Sequence, residues 1–168
     1  ANGLSSVLDA AAELKLRGRH DIKFLLIGDG KLKSSLVSRV LTERLDNVIF
    51  HEPVDKMKLA GLMCSTDLGL QILTNIPAFY YGTSPNKFFD YISAGVPVLN
   101  NYPGWLSDMI SENNCGFCVP PENARAFADA LEKAANDRPA LTLKGANAKR
   151  LAVENLFHPF QPFIHGQK

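Results

Sequence analysis

Ile22-Lys23-Phe24-Leu25-Leu26-Ile27-Gly28-Asp29-Gly30 decides how this chain is read. Only Lys23 interrupts the apolar run, and two glycines close it. So short a run predicts a buried strand that ends in a tight turn. Helical patterns flank it. Before it, Leu4, Leu8, Ala11, Ala12 and Leu14 recur on one helix face and predict a helix over 4–17, with Asn2 as its cap. After it, Leu32, Leu36, Val40 and Leu41 predict a second helix over 31–45.

The alternation continues outward. Val48-Ile49-Phe50 reads as a strand, and Pro53 opens the turn into a helix over 55–64 carrying Met57, Leu59, Leu62 and Met63. Asp67-Leu68-Gly69-Leu70 is the third strand, and a polar and aromatic loop runs from Thr74 to Thr83. A helix from Pro85 to Ala94 ends at Gly95, and Pro97-Val98-Leu99 forms the fourth strand. A short helix over 105–111, a strand from Gly116 to Val119 and helices over 123–136 and 140–157 complete the chain. Strands alternating with helices predict a doubly wound parallel α/β sheet. That class opens on a strand, whereas this chain opens on a helix. The expectation is therefore a first strand ahead of Ala1, and with it an N-terminal domain.

Composition bounds the function. The chain has 168 residues, 46% of them hydrophobic and 21% charged, which suits one globular domain with its own core. The formal charge is +1 with Lys and Arg scattered, so no nucleic-acid footprint is expected. No apolar run reaches the roughly 20 residues of a membrane-spanning helix. Cys64, Cys115 and Cys118 form no disulfide framework. Gly-Phe within the Cys115-x-x-Cys118 pair reads as strand, so these are free thiols of structural use. His20, His51, His158 and His165 show no metal spacing, and no metal site is expected. No nucleophile elbow and no hydrolase carboxylate pair appears. Gly28-Asp29-Gly30 falls short of the dinucleotide fingerprint because Ser34 and Ser35 follow without a third glycine, and Asp29 reads equally as a helix cap.

The chemistry concentrates between Tyr80 and Val98. Ser84 is a good N-cap and Pro85 suits the first helical position. Around a helix, Pro85, Phe88, Phe89 and Ile92 form an apolar face. Asn86, Asp90 and Ser93 form a polar one, with Lys87 flanking. The helix N-terminus offers unpaired N–H groups and a positive dipole, which suits a diphosphate. Lys87 adds a charge, and Asp90 one turn further is a bidentate acceptor for two ribose hydroxyls. The bland reading is plain capping with a solvated face. Tyr80 and Tyr81 either stack on a ligand or pack the loop, and packing is favoured. His51, at a strand end, is assigned a structural role.

Ser84-Pro85-Asn86-Lys87-Phe88-Phe89-Asp90-Tyr91-Ile92-Ser93-Ala94-Gly95-Val96-Pro97-Val98, followed by Pro103-Gly104, Asn114-Cys115-Gly116-Phe117 and Val119-Pro120-Pro121, resembles the signature of the glycosyltransferase group 1 family (family 4). Gly28-Asp29-Gly30, Asn47-Val48-Ile49-Phe50 and Ser65-Thr66-Asp67-Leu68-Gly69-Leu70 extend the resemblance over nearly the whole chain. The resemblance implies one half of a GT-B fold, a Rossmann-like domain lacking its first strand. Residues 1–168 would form the C-terminal, nucleotide-sugar-binding domain, and the absent N-terminal domain would supply the acceptor site. It implies a retaining, metal-independent hexosyltransferase in polysaccharide or glycoconjugate assembly. The substrate is a UDP- or GDP-linked sugar, with no cofactor. The full-length protein would be cytoplasmic, with peripheral association at the inner face of the membrane, and this fragment alone inactive.

By the same resemblance Lys87 and Asp90 are the catalytic candidates. Gly28, Asp29, Gly30, Val54, Gly82, Thr83, Ser84, Pro85, Asn86, Lys87 and Asp90 would bind the donor, and Glu52-Pro53-Val54-Asp55 would meet the base through the Val54 backbone. The family carries two acids separated by seven residues. Asp90 matches the second, and Gly82 stands where the first belongs, so N–H groups around Gly82 and Thr83 would take over part of its role. Two other readings stay open: a nucleotide-sugar epimerase of the same architecture, and a non-catalytic α/β binding domain.

Overall fold

The structure, a computed structural model, describes residues 3–82 and 86–157. In chain order the elements are α1 (Leu4–Leu16), β1 (Phe24–Ile27), α2 (Lys33–Glu43), β2 (Val48–His51), α3 (Lys56–Cys64), β3 (Gly69–Gln71), α4 (Pro77–Gly82), α5 (Asn86–Ser93), β4 (Val98–Asn100), α6 (Trp105–Glu112), β5 (Gly116–Cys118), α7 (Ala124–Asn136) and α8 (Arg138–Phe157). The expected alternation is present, and every strand pairing is parallel.

Hydrogen bonding divides the strands into two half-sheets, β1–β2 and β3–β4–β5. Phe24 pairs with Val48 in the first. Val98 stands between Gly69 and Gly116 in the second. One core cluster spans both. Val7, Leu8, Ala10, Ala11 and Leu14 of α1 pack with Phe24 and Val48 from one half-sheet, and with Leu99 from the other. Phe127, Ala128 and Leu131 of α7 close this cluster. A second cluster lies on the opposite face of β4, where Val98 meets Phe88 and Ile92 of α5, Leu106, Met109 and Ile110 of α6, and Ala148, Leu151 and Ala152 of α8.

Several boundaries differ from expectation, each for a local reason. Asn2 lies outside the described residues, and Gly3 stands at the N-cap of α1 with φ +57. A Cβ there would meet the Leu73 carbonyl carbon at 2.6 Å, so close approach of two backbones selects the glycine. The loop expected from Thr74 to Thr83 contains α4. The third and fourth strands lie slightly later than expected, at Gly69–Gln71 and Val98–Asn100. Asp29 does not cap α2: Leu32 holds the N-cap position and no side chain caps that helix. Asp55 caps α3 instead, accepting from the Lys58 N–H at 2.8 Å. The last helix starts at Arg138 rather than 140 because Asp137 accepts from the Ala140 N–H at 3.1 Å. Pro139 then falls in the first turn, where its missing N–H costs nothing.

Candidate functional site

The carboxyl ends of β1 and β2 hold the first group of expected residues. Gly28-Asp29-Gly30 follows β1, and the Gly28 N–H donates to the His51 carbonyl at 3.2 Å, which ties this turn to the end of β2. Lys33 of α2 then bridges the two loops, 2.9 Å from Glu52 and 4.0 Å from Asp29. The chain turns at Pro53 and enters α3 with Asp55 as cap. Between the end of β2 and α3 lies a cavity of about 290 Å³ lined by His51, Val54, Lys58, Gly61 and Leu62. Val54 is therefore on a cavity wall. So is His51. Its Nδ1 lies 2.7 Å from the Glu52 carbonyl. Nothing in the sequence around a single histidine at a strand end signals a cavity; the return of α3 over β2 creates it.

The second group rides on α5. Its apolar face lands as the periodicity requires: Phe88 and Ile92 are fully buried, and Phe89 is half-buried with its ring edge-on to Phe88. Asn86, Lys87, Asp90 and Ser93 are exposed on the other side. Among the described residues neither the Lys87 ammonium nor the Asp90 carboxylate has an ion-pair partner. Gly95 ends the helix at φ +72, and the Val96 N–H reaches back to the Tyr91 carbonyl. Lys149 of α8 binds the Ser93 carbonyl at 2.6 Å. The helix is thus fixed at its C-terminal end, with Lys87 and Asp90 exposed on its polar face. Thr83, Ser84 and Pro85 lie outside the described residues, and Gly82 is the last residue of α4. No hydrogen bond or ion pair among the described residues links the β1–β2 loops to Lys87 or Asp90.

Beside α5 sits a buried polar network. Tyr80 packs rather than projects, its ring stacked on Tyr102 at 5.5 Å and 12°. Gln71 Nε2 donates to the Tyr102 hydroxyl at 3.3 Å. Burial pushes the phenols of Tyr91 and Tyr102 above their ordinary values. Cys115 is a buried free thiol, pushed up to about 11 mainly by burial, so it remains protonated and inert at neutral pH. Among the described residues no three His, Cys, Asp or Glu gather as metal ligands, and no helix is long and apolar enough to cross a membrane.

A parallel α/β domain of alternating strands and helices, with a cavity at the carboxyl end of β2, belongs to the doubly wound class of folds. The family follows from the sequence: residues 1–137 match the model of the glycosyl transferases group 1 family, and the chain belongs to it. No curated protein matches the chain. Solved structures share the fold. WaaG, a glycosyltransferase involved in lipopolysaccharide biosynthesis, is 24% identical with a TM-score of 0.70; the match covers 90% of this chain and 39% of that one. Anabaena Alr3699/HepE in complex with UDP is 18% identical with a TM-score of 0.73, covering 91% of this chain and 41% of that one. The C-terminal domain of the group 1 family protein LpcC from Francisella tularensis is 18% identical with a TM-score of 0.68, covering 92% and 80%. The chain spans about two-fifths of the length of the first two. The fold is one half of the GT-B architecture.

Proposed function

We propose that this chain binds the nucleotide-sugar donor of a retaining, metal-independent glycosyltransferase, with an N-terminal domain supplying the acceptor site. The observation that carries the reading is the exposed pair Lys87 and Asp90 on the polar face of α5, whose apolar face and C-terminal end are held by the core and by Lys149. Lys87 and the N-terminal turn of α5 hold the diphosphate, and Asp90 accepts the two ribose hydroxyls. The base lies in the cavity beside Val54, against its backbone, with Gly28-Asp29-Gly30 at the neighbouring turn. Backbone N–H groups around Gly82 and Thr83, with Ser84, Pro85 and Asn86, complete the site. A UDP complex of one structural neighbour supports a nucleoside diphosphate as the ligand class, and the family resemblance favours UDP or GDP.

In transfer, the bond between the anomeric carbon and the diphosphate oxygen breaks and its electron pair leaves with the diphosphate, while the acceptor hydroxyl oxygen bonds to the anomeric carbon and its proton passes to the departing diphosphate. Lys87 and the helix N-terminus stabilise that developing charge, which is electrostatic catalysis at the leaving group. This chain alone binds donor without transferring it. Surface polysaccharide or glycoconjugate assembly, in the cytoplasm at the inner face of the membrane, is the setting the family resemblance favours.

Calorimetric titration with UDP, GDP and ADP, repeated on Asp90→Ala, tests the reading. One nucleotide binds, and Asp90→Ala lowers its affinity at least tenfold, because two hydrogen bonds to a charged acceptor are lost (about 1.5–3 kcal/mol each). Unchanged affinity in Asp90→Ala removes the donor site from α5 and favours a non-catalytic binding domain.

A further inference from the structure

Gln71 and Asn100 end β3 and β4 and are register partners. Their side chains therefore leave the same face of the sheet, from backbones about 5 Å apart. Both are buried, with 4% and 0% of their surface exposed. One end of each amide is satisfied. Asn100 Nδ2 donates to the Tyr102 carbonyl at 2.6 Å, and Gln71 Nε2 to the Tyr102 hydroxyl. The other ends, Gln71 Oε1 and Asn100 Oδ1, accept from nothing among the described residues. The adjacent Asn101 shows what a structural asparagine does in this fold. It exchanges both bonds with the Leu73 backbone, at 2.9 and 3.0 Å, and leaves neither atom bare.

Two bare acceptors side by side are costly unless something donates to them. Their place suggests the donor. They stand at the carboxyl ends of neighbouring parallel strands, where ligands of this fold class bind. The face is the one beneath α5, because Gly69, two residues before Gln71, lies against the Tyr91 ring. Both amide nitrogens bond Tyr102, one at its hydroxyl and one at its carbonyl, and Tyr80 of α4 stacks on the Tyr102 ring. A third bare oxygen, Asn47 Oδ1, sits instead at the amino end of β2 beneath α1, where its amide nitrogen binds the Ala11 carbonyl.

We propose that Gln71 Oε1 and Asn100 Oδ1 read the sugar of the nucleotide-sugar, accepting hydrogen bonds from its hydroxyls when the Tyr80–Tyr102 stack opens. This rests on the donor-binding reading above and deepens it.

The test compares affinities for UDP and UDP-glucose, GDP and GDP-mannose, and ADP and ADP-glucose, in the native chain and in Gln71→Met, Asn100→Leu and Gln71→Glu. The native chain binds the sugar-linked form of its nucleotide more tightly than the bare diphosphate. Gln71→Met and Asn100→Leu lose that margin five- to tenfold and hold the diphosphate within twofold. Gln71→Glu, which keeps an acceptor and lets the Tyr102 hydroxyl donate to it, retains the margin. A margin unchanged in both apolar variants, or no margin in the native chain, overturns the sugar-reading pair and leaves the nucleotide site standing. Parallel loss of diphosphate and sugar-linked forms makes the pair structural. A native chain that binds neither form overturns the donor-binding reading itself, and this one with it.

Discussion

The half-sheet β3–β4–β5 and the half-sheet β1–β2 are built from similar apolar strands but are buried differently. All three residues of β4 are buried, with Leu99 facing the α1–α7 cluster and Val98 facing the α5–α6–α8 cluster. In β1–β2, Phe24 and Val48 are buried on one face, while the register partners Leu25 and Ile49 on the other are 43% and 48% exposed. The helix after β2, α3, has no buried residue at all. Parallel strands are normally covered on both faces. The molecule therefore has a tightly packed half that carries Lys87 and Asp90, and a looser half that carries the cavity.

The largest effect expected from that contrast is Gly116→Ala. An added Cβ would stand 1.8 Å from the Val98 carbonyl oxygen, a backbone atom at the centre of the packed half that has no room to move. Overpacking of this kind costs about 3 kcal/mol or more, read as a fall in the urea midpoint or as failure to fold. Gly30→Ala, at the turn after β1, meets nothing within 4 Å and changes stability by less than about 0.5 kcal/mol. Comparable losses at the two glycines would show that the halves are packed alike.

Next in size is a pair of truncations. Leu99→Ala removes a fully buried side chain and costs about 2–5 kcal/mol. Ile49→Ala, on the open face of β2, costs under about 1.5 kcal/mol, because much of its surface is already in water. Amide hydrogen exchange makes the same comparison without mutation: β4 exchanges through global unfolding, and β2 through smaller openings.

Thiol chemistry separates the regions more finely. In the native chain Cys64 and Cys118 alkylate at pH 8 while Cys115 does not; mass mapping after iodoacetamide reads this directly. The Cys115 thiol is raised from 9.0 to about 11 by burial. Its protonated form is therefore favoured by the fold. That stability is complete below pH 9 and is lost as pH rises through 9 to 11, where the unfolded chain has released a proton and the folded chain has not. Replacing Cys115 with Ala flattens this alkaline limb of the stability curve, whereas replacing Cys118, whose charge adds to the shift that burial causes, only reduces it.

What was legible in the sequence follows the same division. The faces of α5 could be read because its apolar residues repeat at helical spacing and its polar residues do not intrude. Strand positions were legible from short apolar runs to within about two residues, but pairing was not. Periodicity says which residues are buried and is silent on which edge meets which, so the split into two half-sheets is visible only in the structure. α4 falls within the stretch from Thr74 to Thr83 that reads as a polar and aromatic loop. Its helix is held by the stacking of Tyr80 on Tyr102, a contact distant in sequence. Asp29 looked like a cap, yet it meets Lys33, which Glu52 also holds. The cavity beside Val54 depends on how α3 returns over the end of β2, and no local pattern encodes that.

The smallest effect probes the cavity and sets stability against binding. Gly61 lies inside α3 and lines that cavity, and a Cβ there meets nothing within 4 Å. Alanine is preferred to glycine in a helix interior by about 1 kcal/mol, so Gly61→Ala raises the melting temperature modestly. The new methyl group also takes space from the cavity. If the base of the nucleotide sits there, Gly61→Ala gains stability and loses nucleotide affinity together, which a merely structural cavity has no reason to do. A variant that is more stable and binds nucleotide as before moves the base away from α3, and the glycine then has no account in ligand binding.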